Sequence, residues 1–225
     1  MKVFISRDLT EDSVFLTQLL ANGITVEGRS LVVFKPLNFS FETRTEWLFF
    51  YSKTGIKFFI EKITPEKIKA VRIAVLGEAS ASVFEKLTGR KPDFIGLGQP
   101  ESTAEAFLRV AAGKDVTFVR ARNSRQSVQQ LLDGKIITKE IIVYHNDILE
   151  NIKKTEARIL VFTSPLNAEA YFKTFKKDDT QKVIAIGETT ASALLALNMD
   201  KVYTVDFPSE KKLAEAVLVF AASEF

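Results

Sequence analysis

The chain has 225 residues, 46% hydrophobic and 26% charged, which is enough for one large packed domain or two small ones. Its 31 Lys+Arg against 28 Asp+Glu leave +3, too small a surplus to imply a nucleic-acid partner. With no Cys and a single histidine, His145, the sequence lacks the usual ligands of zinc and iron–sulfur centres, and thiol chemistry is impossible.

The opening MKVFISRDLTED reaches Arg7 and then acids too soon for the apolar core of a signal peptide. No apolar run attains the roughly 18 to 20 residues of a membrane-spanning helix. A cytoplasmic protein with no membrane partner is expected.

Val3–Ser6 reads as a strand. Thr10 is the expected N-cap of a helix carrying Val14, Phe15, Leu19 and Leu20 at helical spacing and closing at Gly23. Ile24–Phe34 reads as one β-branched strand, broken by Lys35-Pro36-Leu37-Asn38. Trp47–Tyr51 follows as a strand, then Arg72–Leu76, which feeds a helix from Glu78. In the second half the pattern returns: strand Thr117–Arg120, helix Ser124–Leu132, strand Ile136–Tyr144 ended by His145-Asn146-Asp147, strands Ile159–Phe162 and Val183–Ile186, and a helix from Glu188. Strands alternating with helices predict an α/β protein with parallel sheets covered on both faces.

The halves resemble each other. Gly77–Leu87 (GEASASVFEKL) and Gly187–Leu197 (GETTASALLAL) lie 110 residues apart, and Gly, Glu, Ala, Ser and the final Leu coincide. At the same offset, AEAFLRVAA (Ala104–Ala112) falls on AEAVLVFAA (Ala214–Ala222) with six of nine positions identical. FFYSKTG (Phe49–Gly55) resembles VFTSPLN (Val161–Asn167), and KVFISR (Lys2–Arg7) more weakly resembles VTFVRA (Val116–Ala121). Blocks in register argue for duplication. The two strand breaks fall at the same relative place in each half, so the chain is expected to cross between domains there. The expected domains are 1–34 with 148–225, and an inserted 38–143, with linkers 35–37 and 144–147.

GxxxxGK[ST] is absent, and Gly96-Leu97-Gly98 is a truncated GxG, so a nucleotide fold is not supported. What remains is a set of strand-to-helix turns. Gly77-Glu78-Ala79-Ser80 and Gly187-Glu188-Thr189-Thr190 place hydroxyls at helix starts, where free N–H groups and the dipole favour anions. Ser52 and Ser164 stand at equivalent turns after two other strands. For any one of them, simple helix capping is the plainer reading; four in duplicated positions favour a binding role. The run Arg120-Ala-Arg122-Asn-Ser-Arg125 places three guanidinium groups near one sheet edge, suited to carboxylate or phosphate, or else forms a solvated basic turn. The 19 Phe read as core. His145 has no evident acid partner and reads as a surface residue, whereas Tyr144 lies at the expected crossing between domains.

VFISR, GEASA, GETTASAL, VFTSPLNAEAYF, IIVYHND and FPSEKKLAEAV, in this order and spacing, resemble the uroporphyrinogen-III synthase family over essentially the full length. Departures include Tyr51 and Lys53 where the family often has Thr and Pro, Ser80 for a common Thr, and Ala-Arg-Asn-Ser for a glycine-rich turn after Arg120. The resemblance implies two flavodoxin-like domains joined by a two-stranded linker, with the active site between them. It implies a monomeric, cofactor-independent hydro-lyase acting on a linear tetrapyrrole polycarboxylate. Tyr144 is then the expected catalytic residue, and Arg7, Ser52, Ser80, Arg120, Arg125, Ser164 and Thr190 the expected substrate-binding residues. The rival reading is a non-enzymatic two-lobed protein that binds or senses an anion or small molecule.

Overall fold

A computed structural model describes residues 1–42, 44–176 and 178–222. By its internal contacts the chain divides into two compact units, 1–33 with 147–225, and 34–146. In chain order the first elements are β1 (Lys2–Ile5), α1 (Val14–Ala21), β2 (Thr25–Gly28), β3 (Val32–Pro36), β4 (Trp47–Phe50), α2 (Lys53–Lys62), β5 (Arg72–Val75), α3 (Glu78–Thr88), β6 (Phe94–Ile95) and α4 (Pro100–Ala111). Then come β7 (Asp115–Ala121), α5 (Ser127–Leu131), β8 (Ile137–Ile148), β9 (Ile159–Phe162), α6 (Pro165–Thr174), β10 (Lys182–Ala185), α7 (Glu188–Ala196), β11 (Val202–Thr204) and α8 (Glu210–Ala222).

The first unit contains the sheet β11-β10-β9-β1-β2, parallel throughout. Counted from β1, this is the flavodoxin-like order 2-1-3-4-5. The second sheet runs β3-β8-β7-β4-β5-β6, with β8 through β6 parallel. It has the same order once β7 and β8 are counted first and second. The repeated sequence blocks fall on these equivalences: β1 with β7, the β4–α2 turn with the β9–α6 turn, α3 with α7, and α4 with α8. In every pair one member belongs to each unit. Each unit therefore takes its β-α-β start from one half of the chain and its remaining strands from the other.

Strand parity explains how sheets with two dry faces form. On β1, Val3 and Ile5 pack with Phe15 and Leu19 of α1 and Leu213 and Val217 of α8, while Phe4 between them packs with Tyr171 of α6 and Leu194 of α7. On β4, Leu48 and Phe50 meet Phe59 of α2 and Phe84 of α3, whereas Trp47 and Phe49 meet Phe107 of α4 and Val128 of α5. Such consecutive buried residues, rather than an alternation with polar ones, are what a doubly covered parallel strand requires.

Three local expectations are corrected. The N-cap of α1 is Ser13, not Thr10: Ser13 Oγ accepts the Leu16 N–H at 3.2 Å. Ile24–Phe34 is two strands, because Ser30 leaves the ladder: its N–H donates to the Asp8 side chain Oδ1 (3.1 Å) and its hydroxyl to the Val32 carbonyl (2.8 Å). Finally, β8 does not end at Tyr144; it continues through His145, Asn146 and Asp147 to Ile148. β3 pairs alongside it, with the Leu37 N–H on the Val143 carbonyl (2.9 Å) and the Leu149 N–H on the Leu31 carbonyl (3.0 Å).

Candidate functional site

In a parallel sheet every strand ends on the same edge, and the loops there collect the candidate residues. In unit 34–146, Ser52 follows β4 and caps α2. Its Oγ accepts the Gly55 N–H at 3.0 Å and lies 3.2 Å from the Tyr144 hydroxyl. The Tyr144 ring stacks on Phe58 of α2 at 5.4 Å and meets Phe34 edge-on at 5.8 Å, so the phenol is held on its flanks as well as at its tip. Burial raises its pKa, against the hydrogen bond to Ser52, which lowers it. The phenol is therefore a proton-bearing hydrogen-bond donor near neutrality.

The neighbouring turn holds a second tyrosine, to which the sequence reading gave no role. Tyr51 accepts the Gln129 N–H of α5 at 2.9 Å, and burial pushes its hydroxyl up to about 12. Gln129 also donates to Glu140, which in turn pairs with Arg120 at 2.5 Å. Arg120 is the main departure from the sequence reading. Of the three guanidinium groups expected at one edge, this one turns inward: its side chain is 7% exposed and also donates to the carbonyls of Ala121 (2.9 Å) and Arg122 (3.2 Å). The signal was present. Arg120 sits within the apolar strand DVTFVRA, and a charge on a strand covered on both faces must be paired. Arg122 and Arg125, by contrast, are exposed.

Ser80 and Thr190 are also largely buried, 8% and 3% exposed. The caps of α3 and α7 are the glycines Gly77 and Gly187, and the N–H groups of Ser80 and Thr190 each return to that glycine's carbonyl at 3.0 Å. The helix-start N–H groups left for an anion are those of Glu78 and Ala79, and of Glu188 and Thr189. The two turns differ in their surroundings. A Cβ at Gly77 would meet Gly98 Cα at 3.1 Å, where the β6–α4 loop closes over it, whereas a Cβ at Gly187 meets nothing within 4 Å.

In the other unit, Ser164 caps α6, accepting the Asn167 N–H at 3.3 Å and its side-chain amide at 2.9 Å. Arg7 is 3.3 Å from Glu210, a carboxylate that also accepts the Ser13 hydroxyl at 2.8 Å and the Phe15 N–H at 3.3 Å. Ser6 and Thr163, unmarked in the sequence reading, lock the ends of β1 and β9 together: Ser6 Oγ accepts the Thr163 N–H at 2.8 Å and the Thr163 hydroxyl donates to the Ser6 carbonyl at 3.0 Å. A cavity of about 500 Å³ in this unit lies at the opposite, amino-terminal edge, its lining mixing Asp178, Asp179 and Asp200 with Lys182, Lys201 and apolar residues. His145 lies half-buried on β8. Among the described residues no cluster of three His, Asp or Glu forms that could hold a metal ion, and no helix is long and apolar enough to cross a membrane.

A family model described as uroporphyrinogen-III synthase HemD matches residues 13–215. The chain belongs to the uroporphyrinogen-III synthase family. A Methanocaldococcus jannaschii protein named "Putative uroporphyrinogen-III synthase" is 28% identical over 92% of this chain and 95% of its own length. The fold is also similar to solved structures under the same family name. Uroporphyrinogen-III synthetase from Helicobacter pylori aligns with a TM-score of 0.77 at 19% identity, over 97% of this chain and 99% of that one. A mutant uroporphyrinogen III synthase from Thermus thermophilus aligns with a TM-score of 0.63 at 14% identity, over 100% of both chains.

Proposed function

We propose that this chain converts hydroxymethylbilane to uroporphyrinogen III, as a cofactor-independent lyase of tetrapyrrole biosynthesis. Family membership favours this reading over a non-enzymatic anion-binding protein. The single observation that carries it into chemistry is the buried Tyr144 phenol seated against Ser52 at the carboxyl edge of its sheet.

The reaction removes the terminal hydroxyl as water, inverts ring D through a spiro intermediate and closes the macrocycle. The hydroxyl leaves more readily when a donor hydrogen-bonds to it, and Tyr144, protonated and fixed on three sides, supplies that donor. The azafulvene left behind closes without inversion if it is free in water, so most of the enzyme's task is to hold the chain and exclude solvent. The substrate's carboxylates suit the helix-start N–H groups at 78–79 and 188–189, together with Arg125, Arg7 and the Ser52 and Ser164 turns. Ser80 and Thr190 stand one position further along each helix, largely buried, and add their hydroxyls to those turns. The substrate is a small molecule, and we read the enzyme as a cytoplasmic monomer.

Incubation with enzymatically generated hydroxymethylbilane, followed by oxidation and chromatography of the products, tests the proposal. Isomer III in excess of the spontaneous isomer I supports it. Isomer I alone overturns it.

A further inference from the structure

The loop after β7 sorts its arginines in a way that assigns them different work. Between Arg120 and Ala121 the register of β7 against β8 slips by one: Arg120 pairs with Ile142 but Ala121 pairs with Tyr144. The slip carries Arg122 to the reacting residue, where its N–H donates to the Tyr144 carbonyl at 2.8 Å. Irregularities of this kind re-aim side chains at the ends of strands. Arg120 holds the slip in place from inside, donating to the carbonyls of Ala121 and Arg122 while Glu140 balances its charge. Arg122 is exposed, and among the described residues no hydrogen bond or ion pair engages its guanidinium.

We infer that Arg122, anchored on the Tyr144 carbonyl, is the guanidinium that receives a substrate carboxylate beside the leaving hydroxyl, and that Arg120 is a positioning residue acting through it. This rests on the reading of the substrate as a tetrapyrrole polycarboxylate. A planar fork matches a carboxylate with two hydrogen bonds, and the backbone anchor holds the base of the Arg122 side chain next to the Tyr144 backbone. Arg120 cannot do this itself, because it is buried, with one terminal nitrogen on the loop carbonyls and the other on Glu140.

The test compares Arg122→Gln, Arg122→Lys, Arg120→Lys and the double variant Arg120→Lys/Arg122→Gln, with Arg109→Gln as a control for the loss of a surface charge. Arg109 lies on α4, 3.0 Å from Glu105 and 74% exposed. KM and kcat with hydroxymethylbilane are measured beside the affinity for uroporphyrin III, read by fluorescence quenching, and the melting temperature. Arg122→Gln should raise both KM and the uroporphyrin Kd about tenfold, the lower end for a charge-assisted hydrogen bond, at unchanged melting temperature. Lys should restore part of the loss, and Arg109→Gln should match wild type. Because Arg120 acts through Arg122, the double variant should have the KM of Arg122→Gln rather than the product of the two effects.

Wild-type KM and uroporphyrin affinity in Arg122→Gln overturn the assignment of Arg122 even where wild type makes isomer III. Multiplicative effects in the double variant overturn the role of Arg120. If wild type makes no isomer III and Arg122→Gln still loses uroporphyrin, the carboxylate site stands and the proposed reaction falls.

Discussion

Ser52 and Tyr144, 92 positions apart in the sequence, bring their hydroxyl oxygens to 3.2 Å. Ser52 accepts the Gly55 N–H and keeps both its own proton and a second lone pair, so either hydroxyl can donate across the pair. Tyr144→Phe should lower kcat at an unchanged melting temperature, because the stacked ring remains. Ser52→Ala should lower kcat less and also cost about 1 kcal/mol of stability through the lost cap. Steady-state kinetics and thermal melts of the purified variants separate the two; wild-type kcat in Tyr144→Phe would remove the hydroxyl from the mechanism.

The tyrosines set the alkaline behaviour. Burial raises Tyr51 from 10.0 to about 12 and shifts Tyr144 in the same direction. Their neutral forms are favoured in the folded state, so the stabilisation is complete below pH 10 and is lost as pH rises through the folded value. Melting temperature should fall between about pH 10 and 12, and Tyr51→Phe should flatten that decline. The rate profile should show no loss from Tyr144 ionisation below pH 10.

On the acid side, Glu210 is the sensor to test. Partial burial raises its pKa, but the Ser13 hydroxyl, the Phe15 N–H and the Arg7 charge together outweigh this and leave it below its ordinary 4.5. The linked stability is present above pH 4.5 and disappears as pH falls through the lowered value. Glu210→Gln should therefore be less acid-sensitive than wild type in melts from pH 5 to pH 3. Parallel curves would show that the capping of α1 does not depend on the charge.

Two glycines should respond oppositely to alanine. A Cβ at Gly96 would collide with Thr103 Cγ2 and lie 2.6 Å from the Leu76 carbonyl, a backbone atom that cannot swing away. Gly96→Ala should destabilise by roughly 1 to 3 kcal/mol. Gly187→Ala, with open space and an extended backbone, should melt close to wild type. Denaturant titration of both variants checks the contrast.

Ser80→Ala and Thr190→Ala should reduce melting temperature more than they weaken binding. Both residues are largely buried, and the helix-start backbone N–H groups, which alanine keeps, remain for an anion. A tenfold loss of uroporphyrin affinity without a change in melting temperature would put the hydroxyls themselves on the ligand.

Much of this protein is written in local sequence. The consecutive apolar runs of β1, β4, β5, β9 and β10 announce parallel strands, because both faces of such a sheet are dry. The paired blocks GEASA and GETTA mark the glycine-capped helices α3 and α7, and Ser52 and Ser164 announce caps by position alone. Periodicity did not reveal that Ser13 would displace Thr10 as a cap, since that choice depends also on Glu210 arriving from 197 residues away. Nor did it reveal the direction of Arg120. Its partner Glu140 lies on the adjacent strand, and only the pairing of β7 with β8 brings the two charges into contact. The same pairing, slipped by one residue, places Arg122 rather than Arg120 beside Tyr144. Sequence by itself determined the elements and the duplication, because hydrophobic period and caps act over a few residues. The tertiary structure decided which side chains are spent on the fold and which are left for a ligand, because burial and charge pairing depend on what lies across the ladder.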